Sequence, residues 1–449
     1  MSPQLRLPDD HPGLAIARAV AGEGGCALVV GGWVRDRLLD IDEGSGDLDL
    51  EVFGLAPEAL ERVLARFGRL RRVGRAFPVY QLGNLALDVS APGSTNFAEA
   101  AGRRDLRVNA IAWDPLTGAL EDPHEGQADL ASGTLRAVDP ARFGEDPLRG
   151  LRTARLAARL EMRLDAELMS LCAATDLADV PAERLFTEWK RILLRTRRPS
   201  VALVLLRELG LLRFFPELAA LVDVPQDPEW HPEGDVWVHT GRVVDQAAQF
   251  RRNHEEGRDL LLMFGALCHD FGKPGTTEER DGRIVSRGHS EEGLDPTRAF
   301  LERLRAPGWL VTGTVALVRH HLAPAQFVQE PGPAGAKAYR KLARRLAEAG
   351  IDFDLLYQVA RADHLGTATP EALAGAFAAG DRFLERARAI DSEPATHEAA
   401  VTGRHLLALG VEPGPGMGAL LARCLDIQDE TGWTDPEPIL ARALTAPSG

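Results

Sequence analysis

The sequence predicts an α+β protein: a small mixed α/β head followed by a long helical remainder. Short β-rich runs alternate with helical runs up to about residue 140. Beyond that point strand signals fade, and apolar residues recur at helical spacing nearly to the C-terminus. At 449 residues the chain exceeds one small core, so about two to four domains are expected.

In the head, "CALVV" (26–30) reads as a short apolar strand. A Gly pair follows, and "WVRDRLL" starts a helix. "DLDLEVF" is a second strand, "PEALERVLARFG" a helix, and "VYQLGNLALDVSAP" one or two further strands. Pro- and Gly-rich seams fall at 222–235, 329–335 and 410–418. The expected organisation is a head (1–140), a helical neck (141–225), a His-rich helical domain (226–370) and a helical tail (371–449).

A net charge of −14 argues against adhesion to nucleic acid through overall basicity, but leaves room for a local basic groove. Cys26, Cys172, Cys268 and Cys424 are far apart and form no C-x-x-C pair. That fits a reducing cytoplasm and supplies no thiolate zinc site. The N-terminal "MSPQLRLPDDHPGL" lacks a basic segment followed by an apolar run, and no apolar stretch approaches membrane-span length. No signal peptide, no membrane partner and a cytoplasmic location are therefore expected.

Asp47 and Asp49 share one face of the second strand, with Leu48 and Leu50 on the other. Paired acids can simply guard an exposed sheet edge. Three neighbours favour chemistry instead. Gly31 and Gly32 in "GGWVRD" let backbone N–H groups approach a phosphate chain, and Arg35 adds charge. Asp88 in "LALDVS" sits on another expected strand. Three carboxylates repel unless cations lie between them. Mg²⁺ prefers oxygen ligands shared with substrate phosphates. Two such ions about 4 Å apart would clamp an in-line nucleotidyl transfer.

"RRDLRVNAIAWDP" (103–115), "DPHEGQADL" (122–130) and "FGEDPLRGLRTARLAARL" (143–160) follow in order. With "GG-x-V-R-D" and "D-x-D", they resemble the class II tRNA nucleotidyltransferases, the CCA-adding enzymes, and their poly(A) polymerase relatives. The likeness spans about residues 26 to 190. It implies a polymerase β-like head in which Asp47 and Asp49 bind Mg²⁺ and Asp88 is the third carboxylate. Arg104 and Asp105, with Asn109 beyond them, would hold the nucleotide's phosphates and ribose. Glu145, Asp146 and Arg149 would select the base. The implied partners are tRNA, CTP and ATP.

Base selection also has a direct physical reading. Asp146 and Arg149, three apart on an expected helix, would share a face. A carboxylate only accepts hydrogen bonds and a guanidinium only donates. Cytosine and adenine both offer an amino donor beside a ring-nitrogen acceptor; uracil and guanine place a carbonyl there. An ordinary helix-surface salt bridge is the plainer reading of the same spacing. Arg152, Arg155 and Arg159 continue at helical steps, as a stripe tracking RNA phosphates or a solvated face.

The third segment carries "WHPEGDVWVHTGRVVDQAA" (230–248), "LLMFGALCHDFGKPG" (261–275), "RGHSEEG" (287–293), "LVRHHLAP" (317–324) and "ARADHLG" (360–366). His269 and Asp270 at the end of an apolar helix suit a divalent transition metal. The set His239, His269, Asp270 and Asp363 resembles the HD phosphohydrolase superfamily, in the form fused to enterobacterial-type nucleotidyltransferases. The resemblance implies a second metal held by His289 and one of His320 or His321, with Asp270 bridging. Mn²⁺, Ni²⁺ or Fe²⁺ would serve, in hydrolysis of 2′-phosphate or 2′,3′-cyclic nucleotide ends. The alternatives are an HD fold kept for shape, a hydrolase with an inert RNA-binding head, and a poly(A) polymerase, against which the His set speaks.

The tail, "VTGRHLLALGVEPGPGMGALLARCLDIQDETGWTDPE" (401–437), resembles that of bacterial class II nucleotidyltransferases, with His405 replacing the usual acid. The resemblance implies RNA contact. One departure lies after Asp88. Gly93 stands where relatives carry Arg, and only Ser94 to Gly102 precede Arg103. The resemblance implies that this loop reshapes the pocket from C to A; a short tether would restrict that excursion, which predicts addition of CC only and a separate A-adding enzyme.

Overall fold

The computed structural model describes residues 5–41, 48–73, 79–83, 85, 87–329, 332–392 and 398–445. Asp47 lies outside the described residues. The chain forms two compact units, Met1–Asp179 and Val180–Gly449, so the division falls inside the expected neck. Among the described residues, no helix is long and apolar enough to cross a membrane.

The first unit is built on a seven-stranded sheet in the order β3-β4-β5-β2-β1-β6-β7. Its strands are β1 (Cys26–Val30), β2 (Leu48–Phe53), β3 (Leu70–Val73), β4 (Val79–Leu82), β5 (Leu87–Ser90), β6 (Ala112–Trp113) and β7 (Leu120–Glu121). β2 pairs antiparallel with β1 and parallel with β5. The expected run after residue 79 resolves into two strands, β4 and β5, paired antiparallel. β3 escaped the sequence reading because "LRRV" carries two arginines in four residues.

Strand alternation divides the head's core into two faces. Leu48, Leu50 and Val52 of β2 and Leu87 and Val89 of β5 pack with α1 (Pro12–Gly22) and, after α2 (Gly32–Leu38), with α3 (Pro57–Leu64). Leu28 and Val30 of β1 face the other way, against Phe97, Ala100 and Ala101 of α4 (Phe97–Ala101). Asp49 and Asp88 lie on that second face because their neighbours occupy the first. α5 (Gly126–Ser132) leads to a short parallel pair, β8 (Thr134–Leu135) with β9 (Arg163–Leu164). Between these strands runs α6 (Leu148–Leu160), and α7 (Ala166–Ala173) follows.

The second unit is helical apart from one hairpin, β10 (Thr277–Arg280) with β11 (Arg283–Ser286). β9 and this hairpin correct the expectation that strands end near residue 140. "TEER" and "RIVS" are too short and polar to alternate visibly. Asp281 and Gly282 both have positive φ (53° and 75°), as a tight two-residue hairpin turn requires.

The functional framework of this unit is a set of packed helices. α11 (Val236–Gln249) and α12 (Glu256–Cys268) pack with α16 (Gly308–His320) and α19 (Phe353–Gly366). Beneath them Trp189, of the helix Ala182–Arg195, is fully buried. It meets Phe215 and Phe300 edge-on at 5.1 and 5.7 Å. In the tail, the helices Gly403–Ala408, Pro415–Thr431 and Pro436–Thr445 enclose Leu406, Cys424, Ile427 and Ile439. His405 has a structural role. Its Nδ1 accepts from the Thr402 N–H at 3.0 Å, completing a helix-capping box.

Trp189→Ala removes the largest fully buried side chain from this aromatic cluster. It is expected to cost about 3–5 kcal/mol, read as a lower denaturant midpoint for the second unit by circular dichroism. A change below about 1 kcal/mol would show that the cluster collapses around the cavity.

Candidate functional site

In the head, the parallel register sets Asp49 directly beside Asp88. β1 brings a third element to this edge, because Val30 pairs with Asp49 and the chain then turns at Gly31. Gly31 has φ 76°, which favours glycine. A Cβ there would also stand 3.2 Å from Arg104 Nη1 and 3.7 Å from Asp49 Oδ2. The glycine pair, the strand carboxylates and Arg104 therefore converge.

Arg104 is held from two sides. Its Nη2 donates to Glu51 Oε1 at 2.7 Å and its Nη1 to the Asn109 carbonyl at 3.0 Å. Its Nε is buried and has no hydrogen-bond partner. Glu51 is a functional candidate that the sequence reading missed. The signal was present, since Asp47, Asp49 and Glu51 recur at every second position of the sequence.

The remaining head candidates form one polar network. Arg35, 4% exposed, donates to Asp36 at 2.7 Å and to Asn109 Oδ1 at 2.6 Å. Asn109 donates to Asp105 at 3.0 Å, and Arg152 reaches the other Asp105 oxygen at 3.3 Å. Burial alone would raise the Asp105 carboxyl, but the Arg152 charge and the Asn109 hydrogen bond hold it below the usual range. Gly32 opens α2, where a Cβ would stand 3.4 Å from Arg35 Nη2.

Two expectations are corrected here. Asp146 does not share a helix face with Arg149: it is extended (φ −127°, ψ 106°) and precedes α6. Its Oδ1 accepts from the Leu148 N–H, and its Oδ2 lies 3.6 Å from Arg152. Arg149 is buried and donates to the carbonyls of Arg142 and Arg103 at 2.9 and 2.8 Å. Glu145, beside them, pairs with Arg142 at 2.8 Å. The arginine stripe is not a solvated face along its length. Arg159 is tied to Asp36 at 2.8 Å and Arg152 to Asp105, while Arg155 is only partly exposed. Acids of the head lie opposite that face of α6, and ion pairing draws the guanidinium groups inward.

The second unit holds a buried imidazole–carboxylate cluster. His239 comes from α11, His269 and Asp270 from the end of α12, His289 from the segment after the hairpin, His321 from the end of α16, and Asp363 from α19. His239, His269 and Asp363 present ligand atoms within 4.8 Å of one another, as do Asp270, His289 and His321. Asp270 faces both triads: Oδ2 is 3.1 Å from His269 Nε2 and Oδ1 is 3.5 Å from His289 Nε2.

Every imidazole is oriented through Nδ1. His269, His289 and His321 point it at the carbonyls of Ala266, Ser286 and Val318, at 2.8, 2.7 and 2.6 Å. His239 points it at Glu233 Oε1, at 2.8 Å. All four Nε2 atoms are thereby turned inward, the usual preparation for metal ligation. Among the described residues His269 Nε2 is buried and, although 3.1 Å from Asp270 Oδ2, makes no aligned hydrogen bond, so the cluster fits a cation. A mixed imidazole and carboxylate set suits a divalent transition metal.

The electrostatics follow from the packing. Burial would raise the Asp270 carboxyl, but His269 and Lys273 outweigh it and hold it well below the usual range. Burial would lower His239, but hydrogen bonds to Asp363 and Glu233 push it up to about 9. Burial takes His321 down to about 4.

His320 is not part of this cluster. It lines a separate cavity of about 550 Å³ with Arg298, Arg319 and Arg345. Adjacent residues at a helix end point in different directions, which decides between the two histidines. Lys273 and Glu233 are missed positioning groups. Lys273 Nζ lies 2.8 Å from Asp270 and donates to Gln226 at 2.7 Å.

Comparison with known proteins accords with both sites. Residues 84–136 match the poly A polymerase head domain, 166–221 the probable RNA and SrmB-binding site of polymerase A, and 236–363 the HD domain. The multifunctional CCA protein of Laribacter hongkongensis is 39% identical over 303 residues, covering 62% of this chain and 70% of that protein. The chain belongs to the CCA-adding nucleotidyltransferase family. The multifunctional CCA protein of Vibrio cholerae is 36% identical over 319 residues, 65% of this chain and 75% of that one. The fold is shared with the Bacillus stearothermophilus CCA-adding enzyme crystallised with CTP (TM-score 0.66, 22% identity, 96% of this chain and 95% of that one). It is also shared with the Thermotoga maritima enzyme complexed with tRNA (TM-score 0.57, 19% identity, 96% and 94%).

If the cluster in the second unit holds metal, Mn²⁺ or Ni²⁺ at a hundredfold excess over Kd should stabilise it by about 2.7 kcal/mol, a rise of several degrees in its melting transition. His269→Ala should abolish that rise. An unchanged metal-dependent shift in the variant would remove His269 from the ligand set.

Proposed function

We propose that this chain adds nucleotides to tRNA 3′ ends without a nucleic-acid template, and hydrolyses nucleotide 2′-phosphates or 2′,3′-cyclic phosphates at a second, separate site. The observation that carries the first activity is the register of Asp49 beside Asp88 at the edge where Gly31 and Arg104 also converge. Like charges so placed fit Mg²⁺, with Asp47 supplying the remaining carboxylate of the motif. When bound, such ions neutralise the attacking and leaving oxygens of an in-line transfer.

The protein's own groups do the positioning. The backbone of Gly31 and Gly32 approaches the triphosphate closely. Arg104, braced by Glu51 and the Asn109 carbonyl, brings its guanidinium charge to a phosphate oxygen. Asp105, held by Asn109 and Arg152, accepts from the ribose. Asp146, an acceptor just before α6, reads the exocyclic amino group of cytosine or adenine, while Arg149, buried and tied to the carbonyls of Arg142 and Arg103, holds this segment in place with Glu145 beside it.

The carboxylate–imidazole cluster supports the second activity. His239, His269 and Asp363 would hold one divalent ion and Asp270, His289 and His321 another, with one Asp270 oxygen facing each set. A bound ion there supplies Lewis acidity toward a phosphoester. Lys273 neutralises Asp270 and lines the same cavity.

The alternative of adding CC only has no supporting observation. The segment suspected of being a short tether is α4, an ordered helix capped by Asn96, with Phe97, Ala100 and Ala101 buried. The case for a separate A-adding enzyme rested on the same segment. The relatives that this chain resembles are multifunctional CCA proteins, so a tRNA ending in CC should accept A at a rate comparable to addition of C to the unextended tRNA. A much slower A step in single-turnover assays would restore the CC-only reading.

The two-site assignment has its own test. Asp49→Ala should abolish nucleotide addition, with hydrolysis of 2′,3′-cyclic AMP unchanged, and His269→Ala should do the reverse. One substitution that removed both activities from folded protein would defeat it.

A further inference from the structure

The cavity beside the imidazole–carboxylate cluster holds about 790 Å³, far more than a phosphate group fills and within the range of pockets for organic ligands. Asp270, Lys273, His289, His321 and Asp363 line one part of it, and Trp230 lines another. Trp230 is 59% exposed and takes no ring partner among the described residues. The other large aromatic side chain at this cavity, Phe377, is 5% exposed and already stacked on His364 and Tyr357, with centroids 4.6 and 6.1 Å apart. Trp230 is thus the aromatic face still available to a ligand here.

Its position is set by charge. The Trp230 N–H donates to the Asp227 carbonyl at 3.1 Å, closing a turn. Arg283 of β11 clamps that turn, reaching Asp227 at 2.9 Å and Glu229 at 2.7 Å. The next residue, His231, bonds Glu233, which orients His239. The main chain that carries the indole is therefore fastened, through consecutive short contacts, to the groups that aim the cluster.

We propose that Trp230 forms a nucleobase subsite, stacking on the base of the nucleotide whose phosphate reaches the cluster. This rests on the phosphohydrolase reading of that cluster. Base stacking on an aromatic side chain tolerates any base, because every base has a π-face. The subsite therefore selects nucleotides over base-free phosphoesters rather than one base over another. Trp230 is a positioning residue for the substrate's far end and takes no part in bond cleavage.

The test compares 2′,3′-cyclic AMP with glycerol 1,2-cyclic phosphate, which has the same five-membered phosphodiester ring and no base. In the full chain loaded with Mn²⁺ or Ni²⁺, Trp230→Ala should raise KM for the nucleotide about tenfold to a hundredfold and leave kcat unchanged. Turnover of the glycerol compound should not move, and Trp230→Phe should retain most of the nucleotide affinity. Equal losses on both substrates, or no loss on the nucleotide, would overturn the proposal. Wild-type protein that cleaved neither substrate would instead overturn the phosphohydrolase reading. The subsite is then judged by calorimetric binding of 2′-AMP, where wild-type affinity in Trp230→Ala overturns it and a weakened affinity supports it.

Discussion

The parallel pairing of β2 with β5 is the constraint from which the head is built. It places Asp49 against Asp88 across neighbouring strands, about 4.8 Å apart in backbone spacing. Two carboxylates at that separation are stable together only with positive charge between or beside them. The surrounding structure answers that demand. Arg104 approaches from the segment after α4, and Gly31 leaves the space that a side chain would fill. The opposite face of the same strands, with Leu48, Leu50, Leu87 and Val89, supplies the apolar burial that holds the charged face in place.

The second unit solves a similar problem with buried groups. A lone carboxylate as deep as Asp270 would favour its neutral form. His269 and Lys273 reverse that preference. The imidazoles are in turn aimed by oxygen acceptors on Nδ1, three of them main-chain carbonyls three residues earlier in the chain. Helix ends orient His269 and His321, and the end of β11 orients His289, which is why substituting a carbonyl's own residue would disturb the rings little, and why the packing of these elements matters more.

Arginine in this protein serves cohesion as much as recognition. Arg35, Arg149 and Arg159 are drawn into internal contacts with Asp36, Asn109 and main-chain carbonyls. Removing one partner of such a buried pair leaves an uncompensated charge, which costs more than the pair contributes. That explains how an acidic chain keeps a guanidinium-rich core beside the strand carboxylates without exposing it all as a basic surface.

The sequence by itself determined the α+β class, the order of head and helical segments, and most candidate residues. Period-two alternation around Asp49 and the apolar helix ending in His269–Asp270 are local signals, and local signals survive without coordinates. The tertiary structure alone decided what depends on direction. His320 and His321 are neighbours in sequence, yet only His321 enters the cluster, because successive helical residues point about 100° apart. Asp146 and Arg149 have helical spacing, yet α6 begins between them. Glu51 became visible as a partner only when the fold carried Arg104 to it across 53 positions of sequence. Spacing reports which residues can share a face; contact between distant segments is set by packing, which spacing does not encode.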